Sequence, residues 1–550
     1  MRFNINIMST INANNLSKVY KNEYSAWRDK KELNALKRQE YLRRNPDEIS
    51  DYDLQRAKIL LNSFEIMDKS SKSNSNKVGV AFETATNLGL SYAAVGGATL
   101  GYLATKLKFI EKNIDKFAKK NPTSKKVVSM GITMTSGILG ILTAYPAYKF
   151  LSKIESKIHR KRKFETMEKE LQDPRNFVVL DEEQRAIFFQ NLPSLDEIDK
   201  KVVVKENLSQ EIKSIIQTSK EILNHENEQD SFGEKYKNDK TLYDIPLTEK
   251  EIKNAKKDKV LLNTLIKEVN LKSQSYTERI QRITDNLITI SFALASLFTL
   301  GYERLAKTVN LKSSSVPVGI GIATLAGSTF FANWAQRRAS HVGKFKAIQE
   351  LKQNPEQLVY ISKHKIETID DEEIELENRQ KINTIKFLKE FFAHNKEYKN
   401  WKKSNSYTGA DISKAMDGIE ISPEQLRDGK RLQRNLFKTL YKVEKNTQNY
   451  SNEIDIMGES IKYPMTLMLG SLGSVLGMKH LINLRKSSKS VDVIKNSTKY
   501  IGTITLFTLP LLILNSYFAK AQKMGARISD MVTLKNMEDY RFFADYSPIE

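Results

Sequence analysis

A chain of 550 residues has room for roughly three or four domains of about 150 residues each. Its 88 Lys and Arg against 66 Asp and Glu give a net charge of +22, which favours anionic partners: lipid headgroups, nucleic acid or acidic proteins. There is no cysteine, which excludes disulfides, thiolate metal sites and a cysteine nucleophile.

The N-terminal stretch "MRFNINIMSTINANNLSKVYKN" lacks an apolar core of the length a secretory signal needs. An aromatic-bearing segment, "EYSAWR" at Glu23–Arg28, comes next. Ser50 then stands three residues before Asp53, the spacing at which a hydroxyl and an acid cap the start of a helix. The first apolar run covers about 79–105, close to the ~20 residues that cross a hydrocarbon core. Glu83 and Asn87 are four apart near its start and share a face, so they form a candidate polar pair inside the membrane. Gly97 and Gly101, also four apart, mark a face where another helix packs closely. A densely basic tip, "KLKFIEKNIDKFAKKNPTSKK", leads to the second run at 127–150, with Ser136 and Gly140 at the same spacing. A basic amphipathic exit helix follows, with Leu151, Ile154 and Ile158 on one face, and it finishes at the break "LQDPRNFVVL".

The second third of the chain repeats this order. "EKYKND" at Glu234–Asp239 is a shortened counterpart of the aromatic segment, and Thr248 caps with Glu251. "KVLLNTLIKEVNLKSQS" matches "KILLNSFEIMDKSSKS" of the first third. Apolar runs at 285–306 and 316–336 carry Gly301, Ala323 and Gly327 as packing residues, and the "TLGY" of Thr99–Tyr102 recurs at Thr299–Tyr302. The exit helix places Ala335, Ala339, Val342, Ile348 and Leu351 on one stripe and breaks at "LKQNPEQLVYI". An acidic block, "ETIDDEEIELENRQ", opens a further helix, where acids complement the helix dipole.

The last third has "EYKNWK" at Glu397–Lys402, then Ser422 with Gln425 as a capping pair and Pro423 at the first helical position. Its apolar runs are 463–484, with Gly473 and Gly477 as packing residues, and 499–519. Its exit helix carries Ala521, Met524, Ile528 and Met531.

The expected fold is therefore all-α: a polytopic membrane protein with six transmembrane helices in three hairpins. It is built from three degenerate repeats of about 185 residues, at 1–190, 191–375 and 376–550, with helical extramembrane domains on one side. Paired spans return the chain to its starting side, and flanking basic residues place the long segments and both termini in the cytoplasm. Three units of two spans is also the layout of mitochondrial carriers. Their Pro-x-acid-x-x-base signature is missing around Pro146, Pro317, Pro464 and Pro510, so no family is claimed.

No pair of the six histidines has metal-ligand spacing, and no phosphate loop, dinucleotide fingerprint or nucleophile elbow occurs. No catalytic residue, metal or cofactor is expected, and the chain is read as no enzyme. The expected role is an integral membrane scaffold or interaction protein that organises or shapes membrane. Its partners are the bilayer, with anionic headgroups met by the basic exit helices, and other proteins or further copies of itself. Nucleic acid lacks a recognition motif here. The alternative is a transporter or channel with a path between the hairpins, lined by Glu83 and Asn87. A second alternative is a soluble helical assembly protein whose hairpins are its core.

Overall fold

In a computed structural model, the described residues are 49–70, 103–118, 121–195, 248–309, 315–364 and 384–446, with scattered positions between 89 and 101 and between 480 and 534. Among them the fold is all-α, without strands. The helices are α1 (Asp51–Ser70), α2 (Lys108–Phe117), α3 (Pro122–Glu170), α4 (Glu182–Asn191), α5 (Glu249–Val309), α6 (Ser315–Gln353), α7 (Pro355–His364), α8 (Thr384–Lys403), α9 (Gly409–Ala415) and α10 (423–446).

Helix starts follow side-chain chemistry. Ser50 Oγ accepts the Asp53 N–H at 3.2 Å ahead of α1. Thr248 and Glu251 close a full capping box, with Glu251 N to Thr248 Oγ1 at 3.3 Å and Thr248 N to Glu251 Oε2 at 2.8 Å. Ser422 and Gln425 do the same at 3.1 and 3.0 Å. Each device satisfies backbone donors that the first helical turn leaves without a partner. Asp181 with Gln184 and Thr408 with Asp411 box α4 and α9 in the same way.

The helices run longer than the sequence pattern suggests. α3 is a single helix of 49 residues that passes through Pro146, α5 has 61 residues, and α6 has 39. Apolar runs and their charged neighbours are thus fused, because no cap or turn signal separates them. The breaks come at the expected places: α3 ends at Glu170 before a 3-10 turn at Pro174–Phe177, and α6 gives way to α7 at Pro355. Proline there lacks the N–H and the backbone freedom to continue the preceding helix.

Among the described residues, no helix is long and apolar enough to cross a membrane. The six transmembrane spans are therefore not supported by the described part. The runs at 79–105, 463–484 and 499–519 fall mostly outside the described residues.

The core is shared by distant parts of the chain. Ala57, Leu60, Leu61 and Phe64 of α1 meet Leu261, Leu262, Leu265, Ile266 and Val269 of α5 and Leu432, Leu436, Phe437 and Leu440 of α10. Phe164, Met167 and Leu171 of α3, Ala347, Ile348 and Leu351 of α6, Leu358 and Val359 of α7 and Leu534 close the same cluster. Burying each Leu, Ile or Phe contributes about 1.5–3 kcal/mol relative to exposure. The stripe on α6 splits: Ala335, Ala339 and Val342 pack in a second cluster with Phe387, Phe391 and Tyr398 of α8, and Ile348 and Leu351 enter the main one.

Candidate functional site

The N-terminal parts of α1, α5 and α10 carry a closed set of ion pairs. Arg56 of α1, 1 % exposed, approaches Asp258 of α5 at 3.4 Å and pairs with Asp428 of α10. Its guanidinium also donates to the Phe177 carbonyl at 2.7 Å and to Tyr52 Oη at 2.9 and 3.0 Å, and Tyr52 donates on to Asp428 at 2.8 Å. Arg431 of α10 bridges the same two acids, at 3.4 Å to Asp258 and by an i,i+3 pair with Asp428. Around this centre, Lys257 reaches Asp53 at 3.1 Å, Lys363 of α7 reaches it at 3.3 Å, and Arg427 holds Glu251 at 2.8 Å. Every pair among α1, α5 and α10 is thereby joined by opposite charge.

Burial pushes the Asp53 carboxyl up, but hydrogen bonds from Ser50 and Lys257 and the charges of Lys257 and Lys363 outweigh it, so Asp53 lies below its ordinary value. Glu251 is likewise held low against burial, by Thr248 and Arg427. Burial raises the Tyr52 phenol, which stays a donor. A buried, paired charge set of this kind adds little net stability, yet it punishes any arrangement that leaves one member alone. It specifies how three helix ends fit together.

A second cluster joins the end of α1 to α6 and α8. His341 Nδ1 lies 3.4 Å from Asp68 Oδ1, and its ring stacks on fully buried Tyr398 with centroids 6.1 Å apart. The Arg338 guanidinium lies over the Tyr398 ring, 4.5 Å from its centroid, and donates to Asn395 at 2.5 Å. Trp401 donates to Glu65 at 3.2 Å, and Lys69 sits over its indole at 4.9 Å. Tyr398 and Trp401 are the aromatics of "EYKNWK", so that motif anchors α8 on α1 and α6. Burial drives His341, Lys344 and Lys402 towards their neutral forms, and Lys344 and Lys402 also repel a proton on His341. Asp68, opposed by burial but hydrogen-bonded to His341, stays ionised.

The third feature is the helix pair ahead of α3. Gly89, Ala93, Gly97, Leu100 and Gly101 are helical, and Ala93, Gly97 and Gly101 meet α3. A Cβ at Gly97 would stand 2.3 Å from the Ser136 carbonyl oxygen, one at Gly101 2.5 Å from Ser136 Cβ, and one at Gly140 2.2 Å from the Ala93 carbonyl oxygen. The two backbones touch. Large apolar side chains of the two helices stand outward beside this seam: Leu100 is 69 % exposed and Leu139 55 %, with Leu103 and Leu142 in the same state.

The remaining sequence candidates are placed unevenly. Gly327 has open space where a Cβ would be. Gly301 lies in α5 and Ala323 in α6, and Glu83, Asn87, Gly473 and Gly477 lie outside the described residues. Of the exit-helix stripes, Ala335, Ala339, Val342, Ile348 and Leu351 are buried in the protein interior. Among the described residues no group of His, Asp or Glu could hold a metal ion. The charged ring was missed by sequence reading, though it left a signal. Arg56 precedes Leu60 and Phe64, Asp258 precedes Leu262 and Ile266, and Asp428 precedes Leu432 and Leu436, each at one-turn spacing on a core-facing stripe.

Fold and geometry together define a class: an all-α protein whose helix ends are joined by buried charge and which carries a small-residue helix pair with an apolar exterior. No family model, curated protein or solved structure matches the chain.

Proposed function

We propose that this protein is a non-enzymatic membrane scaffold: a helical body, composed of three copies of one degenerate unit, that holds helical hairpins in lipid with its long segments on the cytoplasmic face. The observation that carries the reading is the pair of helices sealed by Gly97, Gly101, Ser136 and Gly140 with Leu100, Leu103, Leu139 and Leu142 turned outward. In water, such an exterior is an association hazard. In hydrocarbon it is the ordinary lipid-facing side, with the small residues on the helix–helix side. The capped starts at Ser50, Thr248 and Ser422 support the unit reading, since the three helices they open meet in one core. The buried ion pairs between those helices suit a body whose role is to hold geometry.

Because the chain has no cysteine, single cysteines test this directly. Asn121→Cys reports on the turn between α2 and α3, and Glu183→Cys on the exposed surface of α4. In intact cells treated with a membrane-impermeant maleimide, Asn121→Cys is expected to label and Glu183→Cys to stay protected, in protein that resists alkaline extraction. Protection at both positions with resistance to extraction means the hairpin enters and returns on one side, which keeps the scaffold. Ready extraction sinks the membrane reading and makes the hairpins part of a soluble assembly.

A further inference from the structure

We infer that the outward face of α2 is a docking surface for an anionic lipid leaflet. α2 is ten residues long and packs on the start of α3. Its inward side is Ile114, which is buried, with Ala118 just past its end. Its outward side carries Lys108, Lys112, Asn113 and Lys116, all exposed, and two aromatic rings, Phe109 at 78 % and Phe117 at 79 % exposure. The helix also has two acids, and their placement decides the character of the face. Glu111 and Asp115 are both drawn to one base of α3, Lys125, at 3.1 and 2.9 Å. The acids stay 43 % and 41 % exposed but are tied to Lys125, and the rest of the outward face is Lys108, Lys112 and Lys116 with the two aromatic rings.

That combination fits a headgroup layer. Ammonium groups sit among lipid phosphates and carboxylates while the rings enter the boundary between headgroups and chains. The exposed stripe of Leu100, Leu103 and Leu107 runs into the start of α2, and Lys106 beside it is exposed as well, so apolar and cationic surface are continuous. A neutral protein groove would match the rings but not the ammonium groups of Lys108, Lys112 and Lys116. The charge selects the anionic surface. This goes beyond the hairpin reading, because the face meets an anionic leaflet whether or not the hairpins enter lipid.

The test uses the full chain with Asn113→Cys carrying an environment-sensitive fluorophore, reconstituted in vesicles of phosphatidylcholine alone or with phosphatidylserine. A blue shift is expected in the anionic vesicles, weakened by added salt and absent from the neutral ones. Each lysine near the surface contributes about fivefold to binding, so Lys112→Gln with Lys116→Gln lowers the docking constant by about 25-fold. Both variants change exposed positions only, and unchanged helix content verifies the fold. Equal emission in the two lipids, or indifference to the double substitution, overturns the inference and leaves the face to an acidic protein. An alkaline wash of the same vesicles scores the hairpin reading separately. Protein retained with a silent label defeats only the α2 inference, and protein washed off after a salt-sensitive shift defeats only the hairpins.

Discussion

At the scale of single residues, two buried clusters make opposite demands on charge. Arg56 must keep its charge, because Asp258 and Asp428 depend on it. Arg56→Met retains much of the stem volume but leaves those two carboxylates to Arg431 and the Tyr52 hydroxyl. The expected loss is about 3–5 kcal/mol, read as a lowered urea midpoint. A loss within 1 kcal/mol would mean the acids find other partners. His341 must stay neutral. Burial holds its folded pKa below the ordinary value, with Lys344 and Lys402 acting in the same direction against the pull of Asp68, while Arg338 and Tyr398 cover the site. A depressed folded pKa means the unfolded chain takes up a proton first. The His341 contribution is therefore complete above the unfolded value of about 6.5 and is lost as pH falls below it. His394, also depressed chiefly by burial, adds the same sign. Stability should fall between about pH 6.5 and 5, before most carboxylates titrate, and His341→Gln should flatten that slope. A wild-type protein equally stable across this window would remove the argument.

At the scale of elements, glycine separates contact from open space within one helix pair. Gly97 and Gly140 each face backbone on the partner helix, whereas Gly89 and Gly131 face nothing within 4 Å. Gly97→Ala and Gly140→Ala are expected to push the helices apart and destabilise by about 1–3 kcal/mol. Gly89→Ala and Gly131→Ala should be neutral or gain up to about 1 kcal/mol from helix propensity alone. Thermal unfolding of the four variants checks both halves, and equal effects at all four positions would mean the seam is not a contact. Spacing alone pointed to Gly97 and Gly101, as it did to the caps at Ser50, Thr248 and Ser422, because both are local: a short offset fixes a face or a turn. Gly327 shows the limit, since the same spacing with Ala323 meets open space on the glycine. The charged ring and the Tyr398 anchor were not legible. The ring's partners across helices lie 173 to 376 residues apart in sequence, and Tyr398 lies 398 − 341 = 57 residues from His341 and 398 − 338 = 60 from Arg338. A charge on an apolar stripe tells that it is buried, not by whom it is met. Helix lengths were misread for a related reason. The pattern marks where an apolar run stops, but a helix stops only where backbone donors and acceptors find other partners, and α3 and α5 offer no such place before Glu170 and Val309.

At the scale of the whole molecule, the main core decides whether the three thirds of the chain can live apart. It draws on α1 and α3 from the first third, α5, α6 and α7 from the second, and α10 and Leu534 from the last. Each third alone would expose the side chains that the other two cover, and it would keep half of each ion pair: Arg56 without Asp258, Asp258 without Arg431, Asp428 without Arg56. Both losses act on the same helix ends, so they compound. Fragments 1–190, 191–375 and 376–550 expressed singly are expected to lack cooperative unfolding and to exchange the backbone amides of α1, α5 and α10 rapidly. Coexpressed, they should assemble, because the main core is closed only when side chains from all three fragments are present. Hydrogen exchange distinguishes the outcomes by element. If α5 in the isolated middle fragment is protected as in the full chain, its packing on α6 is sufficient and the shared core is dispensable. If protection of α1, α5 and α10 returns only when all three fragments are present, the unit is a unit of sequence, and the folding domain is the set of three.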